Sequence, residues 1–146
     1  MKYKKFVKKC KSILPNLPDD LLTSNYDLEA LAKAFGIENF TVYIEPSCGG
    51  RKIQDGEICI INASNHPGET GHWVAAAYVN NTKYYYDSFG CLPPPGVKSF
   101  INGEYLGGDC KTQDIKDNCC GIKALYVCYG LSQGIELNDI LYEMEE

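Results

Sequence analysis

The sequence predicts an α+β fold. Two helical stripes before residue 36 and helical spacing after residue 119 enclose strand-like segments between residues 40 and 88. Residues 1–146 are expected to form one domain, since this length suits a single core. Apolar content of 45%, with 12% aromatic residues, points to a packed chain rather than a disordered one.

Tyr3, Phe6, Val7, Cys10, Ile13 and Leu14 share one helical face, with lysines between them. Residues 1–14 therefore read as a basic amphipathic helix that ends before Pro15. Residues 15–20, with two prolines, form a connector. A second helix begins near Ser24 or Asn25, with Asp27 placed for a capping box; Leu28, Leu31, Ala32 and Phe35 give its core stripe and Gly36 its stop.

Strands are expected over 40–44, 57–62, 73–79 and 83–88. A turn at 46–50 follows the first, a polar loop at 64–71 precedes the third, and Asn80-Asn81-Thr82 turns the last two into a hairpin. Three consecutive prolines make 90–96 a rigid crossing outside any ladder. Residues 99–112 allow a short helix or turn around Phe100, Ile101, Tyr105 and Leu106, then a brief strand before Gln113. Cys120 to Leu131 is helical, with Ile122, Leu125, Tyr126 and Tyr129 at core spacing, and Asn138 can cap a final acidic helix through Met144.

The net charge of −5 is unevenly spread. Lys2, Lys4, Lys5, Lys8, Lys9 and Lys11 precede residue 15, where no acid occurs, whereas the remainder carries eight basic residues against nineteen acids. Arg51 is the sole arginine, which argues against a nucleic-acid-binding body. A weak polyanion contact through the six N-terminal lysines stays open. No apolar run approaches the ~20 residues of a membrane span, and the start lacks a secretory apolar region, so an unexported protein with no membrane partner is expected. The eight cysteines are then expected to be mostly reduced, several acting as small core hydrophobes. There is no CxxC pair and no zinc-like histidine spacing, so neither metal nor cofactor is expected.

Four polar residues recur in an order that suits covalent acyl transfer: His72, Asp87, Gln113 and Cys120. A cysteine attacks a carbonyl as its thiolate, and Cys120 stands where the polar stretch 114–118 runs into a helix, whose N-terminal dipole favours that form. The hairpin brings the start of one strand, at His72, beside the end of the next, at Asp87, so a base meets its orienting acid. Gln113 and the Cys120 backbone N–H can donate to an oxyanion, and Gly121 removes a side chain next to the sulfur. Taken singly, each has a plainer reading: a turn aspartate, a loop glutamine, a buried thiol. His66, before Pro67 and without a matching acid, is read as an ordinary loop histidine.

The runs Gly71-His72-Trp73-Val74, Tyr85-Tyr86-Asp87-Ser88-Phe89-Gly90 and Gln113 with Asn118-Cys119-Cys120-Gly121 resemble the adenovirus-type maturation cysteine proteases, of the same clan as the SUMO-specific proteases. Residues 24–40 also resemble the lead-in of virophage and Polinton-like relatives, so the likeness spans roughly 24–131. It implies a papain-like, SUMO-protease-like fold, with a central mixed sheet between helices and the nucleophile at a helix N-terminus. It makes His72 the base, Asp87 its partner, Gln113 an oxyanion donor and Cys120 the nucleophile, with Trp73 over the substrate channel. The activity implied is endopeptidase cleavage of capsid precursors after small residues, of the Gly-Gly or Gly-X type, by a monomer in the virion or host-cell cytoplasm. The chain is shorter than the adenovirus enzymes, so their activating peptide and the cysteine that captures it have no secure counterpart here, and its acidic body argues against DNA-assisted activation. Cys119 lies six residues after Gln113, the SUMO-protease spacing, but the glycine after Cys120 and the seven-residue spacing favour Cys120. Alternative functions are an isopeptidase acting on ubiquitin-like modifiers and, in a different class, a non-catalytic capsid-associated binding protein.

Overall fold

The computed structural model describes residues 3–44, 48, 50–63, 72–107 and 119–144. The expected turn at 46–50, the loop at 64–71 with His66, and the stretch holding Gln113 fall wholly or mostly outside these residues.

Helix α1 (Tyr3–Ile13) and helix α2 (Asn25–Ala34) come first. The capping box at α2 is complete: the Ser24 hydroxyl accepts from the Asp27 N–H and the Asp27 carboxylate accepts from the Ser24 N–H. Strands β1 (Phe40–Ile44), β2 (Ile58–Asn62), β3 (Trp73–Val79) and β4 (Thr82–Tyr86) follow, then α3 (Pro95–Ile101), the two-residue β5 (Leu106–Gly107), α4 (Cys120–Ser132) and α5 (Leu137–Met144).

The five strands form one sheet in chain order. β1–β2 and β4–β5 are parallel, whereas β2–β3 and β3–β4 are antiparallel. This is the mixed sheet between helices that the family likeness implied. Both faces are covered. Trp73, Ala75 and Ala77 join the core shared with α1, α2, α4 and α5, while Val74 and Ala76 join Val97, Phe100 and Ile101 of α3 on the other side. Covered faces explain why β2 and β3 read as apolar runs rather than alternating strands. The alanines of β3 let the helical layers approach the sheet closely, and Gly130 does the same between α4 and α5, where a Cβ would lie 2.5 Å from Ile140 Cδ1.

Several boundaries differ from expectation. Asn80 and Asn81 both adopt left-handed backbone, which makes a two-residue hairpin turn, so Thr82 already pairs with Val79. β4 stops at Tyr86, leaving Asp87 just beyond the ladder in a tight turn closed by Gly90 N–H to Asp87 C=O at 2.9 Å. The proline run is not wholly a crossing: Pro95 occupies the first turn of α3, where its missing N–H costs nothing. Asn138 sits inside the last helix, whose first bonds run to the Glu136 carbonyl, so it is not the cap. Cys10, Cys48, Cys59 and Cys128 are buried as core thiols, and no disulfide joins the described cysteines. No described helix is long and apolar enough to cross a membrane.

Candidate active site

The β3–β4 hairpin and the start of α4 build the site. His72 immediately precedes β3, and its carbonyl accepts the Ala63 N–H at 2.8 Å, extending the β2–β3 ladder by one rung. The β3–β4 ladder ends at the Ala75–Tyr86 pair, and the turn that follows carries Asp87 and Phe89 against His72. Phe89 stacks on the His72 ring with centroids 4.1 Å apart and planes 11° from parallel. The carboxylate of Asp87 reaches back to His72 Nε2. The same oxygen, Asp87 Oδ1, accepts the Phe89 N–H at 2.8 Å, which fixes the carboxylate before the imidazole is considered. Asp87 is only 4% exposed.

With Nε2 engaged, Nδ1 is the nitrogen that can serve the thiol. It is buried and closes no hydrogen bond with any of the described residues. The Cys120 sulfur is nonetheless near enough to act on the ring: burial opposes the imidazolium, but the hydrogen-bonded Asp87 carboxylate and the neighbouring Cys120 sulfur outweigh it, raising the His72 pKa to about 9. A loose thiol–imidazole approach is common before substrate arrives. Cys120 is the first residue of α4, and its Sγ accepts the Trp73 N–H at 3.5 Å. Sheet and helix are therefore joined at the sulfur itself. Cys119 occupies the N-cap without a side-chain capping bond, and its thiol interacts with the Tyr3 hydroxyl rather than contributing to the His72 environment.

Trp73 is 8% exposed, and its indole N–H donates to the Thr23 carbonyl at 3.3 Å. Gly121 lies buried beneath it. The space that the missing Gly121 side chain leaves is bounded by Thr23 and Trp73. Thus His72, Asp87 and Cys120 converge with Trp73 and Gly121, while Gln113 lies outside the described residues. Sequence reasoning missed Phe89 and Thr23. Phe89 reaches the ring through a turn beyond the hairpin ladder and Thr23 is distant in sequence, so neither carried a signal.

Mixed strand order, helices on both sheet faces and a thiol at a helix start together define an α+β fold. Among solved structures, the chain is similar to the selenomethionine crystal structure of the ASFV pS273R protease, with a TM-score of 0.58 and 14% identity, covering 88% of this chain and 67% of that one. No family model and no curated protein matches the sequence.

Proposed function

We propose that this chain is a cysteine endopeptidase that matures viral or transposon-borne capsid precursors, cutting after small residues of the Gly-Gly or Gly-X type. The observation that carries the reading is the line from Asp87 through the His72 ring to the Cys120 sulfur at the first turn of α4. The shared fold with a viral protease supports it.

In this mechanism Cys120 loses its proton to His72 Nδ1 and attacks the scissile carbonyl. The sulfur–carbon bond forms as the carbonyl π electrons move onto oxygen. The oxyanion is met by the Cys120 backbone N–H and by the Gln113 amide. His72 returns the proton to the leaving amine as the carbon–nitrogen bond breaks. Water then attacks the thioester, giving a proton to His72, and the sulfur departs. The charge on the sulfur helps hold the imidazole protonated. Acylation removes that charge, so His72 becomes a better base when water must be activated. Asp87 holds Nε2–H throughout. Trp73 walls the channel that narrows to glycine.

The described lysines of α1, at 4, 5, 8, 9 and 11, are all exposed, and a weak salt-sensitive polyanion contact is proposed for that face. The function is tested by mapping new protein termini in particles made with and without Cys120→Ala. Termini after Gly-Gly or Gly-X that need Cys120 support capsid maturation. Unchanged termini, with release of ubiquitin-like modifiers from Gly-Gly probes, would move the assignment to an isopeptidase.

A further inference from the structure

The first turn of α4 is wedged against a segment nearly a hundred residues earlier. A Cβ at Gly121 would lie 2.1 Å from Thr23 Oγ1, 3.1 Å from Trp73 Cδ1 and 3.5 Å from Leu28 Cδ2. The first distance is impossible, the second is tight and the third is ordinary contact. Thr23 is 6% exposed and its hydroxyl has no hydrogen-bond partner among the described residues, so what the side chain offers there is shape. Its carbonyl, by contrast, is used: it takes the Trp73 indole N–H.

Thr23 is also presented rigidly. Leu21 is held in left-handed backbone at φ 64°, costly for a leucine, and its N–H bonds the Pro18 carbonyl at 2.9 Å. Asp20 Oδ1 accepts the Leu22 N–H at 3.1 Å, and the capping box begins at the next residue after Thr23. A strained turn on one side and a helix cap on the other leave the intervening peptide little freedom.

We propose that Thr23 is a positioning residue: its side chain is a steric stop that sets how deeply the Cys120–Gly121 turn seats, and its carbonyl aims the Trp73 indole above it. This inference rests on reading Cys120 as the nucleophile, because the depth of that turn sets where the sulfur meets His72. Trp73 links the two effects, since its backbone N–H meets the sulfur and its ring meets Thr23.

The test is a compensation experiment on the full chain. Rates of Cys120 alkylation by iodoacetamide, read by peptide mass mapping, are measured beside peptide hydrolysis normalised to the labelled active fraction. Gly121→Ala should slow both at least tenfold. Adding Thr23→Ala should recover most of that loss, whereas adding Thr23→Val, which keeps the bulk, should recover none. Thr23→Ala alone should lower kcat several-fold with KM changed less than twofold, and Thr23→Val alone should stay near wild type. Losses that simply multiply in Thr23→Ala/Gly121→Ala would overturn the proposal. If Gly121→Ala does not fold, the single variants decide: a Thr23→Ala protein with wild-type kcat and alkylation profile refutes the steric stop. A wild-type chain that alkylates at Cys120 but cleaves nothing would remove the protease reading, while alkylation still reports the interlock.

Discussion

Phe89 lies flat on the His72 imidazole, with ring centroids 4.1 Å apart. This contact restrains ring rotation on a face that neither Asp87 nor Cys120 controls. Stacked aromatic pairs are worth about 0.5–1.5 kcal/mol beyond their buried area, which sets a ceiling of about tenfold on rate if that energy orients the base. Phe89→Ala is therefore expected to lower kcat/KM by up to about tenfold, with the pH at half-maximal rate also displaced. An unchanged kcat/KM would show that Asp87 alone orients the ring.

Cys120→Ala should abolish covalent labelling by a peptide vinyl sulfone, and Cys119→Ala should retain it. The two thiols differ in surroundings, one beside the His72 ring and one beside the Tyr3 hydroxyl. Intact-mass spectrometry after labelling reads the answer directly. Labelling that survives loss of Cys120 and vanishes with Cys119 would reverse the assignment.

The raised pKa of His72 makes stability depend on pH in a defined direction. The folded value is about 9 against an ordinary 6.5, so between these values the folded chain holds a proton that the unfolded chain releases. The contribution is complete below about pH 6.5 and disappears as pH rises through about 9. Denaturant midpoints should fall across this window in the wild type. Asp87→Asn, which removes a cause of the upward shift, should flatten or invert the slope; an unchanged slope would show that His72 is not its origin.

Gly130→Ala would ordinarily strengthen a helix by roughly 0.5–1 kcal/mol. Here its methyl would collide with Ile140, and overpacking of that kind costs about 1–3 kcal/mol. Net destabilisation is expected by thermal unfolding, with Ile140→Val in the same chain recovering part of it by deleting Cδ1. A more stable single variant would mean that α5 gives way without cost.

Helices α1, α2 and α4 and strands β1 and β3 were legible because each carries a local pattern: Phe6 and Cys10 on one helical face, Leu28, Leu31 and Ala32 on another, and the apolar run from Trp73. The pairing of His72 with Asp87 was legible too, since a hairpin register is a local rule. Thr23 was not, because its contact with Gly121 exists only after α2 and α4 dock on the same sheet face. The end of β4 was misjudged because nothing in the residue types of Asp87 and Ser88 marks that the chain leaves the ladder after Tyr86 and turns to bring Asp87 toward the imidazole. Asn138 was misjudged as a cap because a favoured residue type says little when a neighbouring carbonyl already starts the helix.

One carboxylate oxygen of Asp87 serves both the Phe89 backbone and the imidazole, which makes the peptide after β4 part of the proton-handling apparatus. Insertions and deletions should consequently be intolerable between positions 87 and 89, where a single added residue would tear one bond to keep the other. Only from residue 91 onward, at the exposed Cys91 and Leu92, does the polypeptide regain latitude to vary in length.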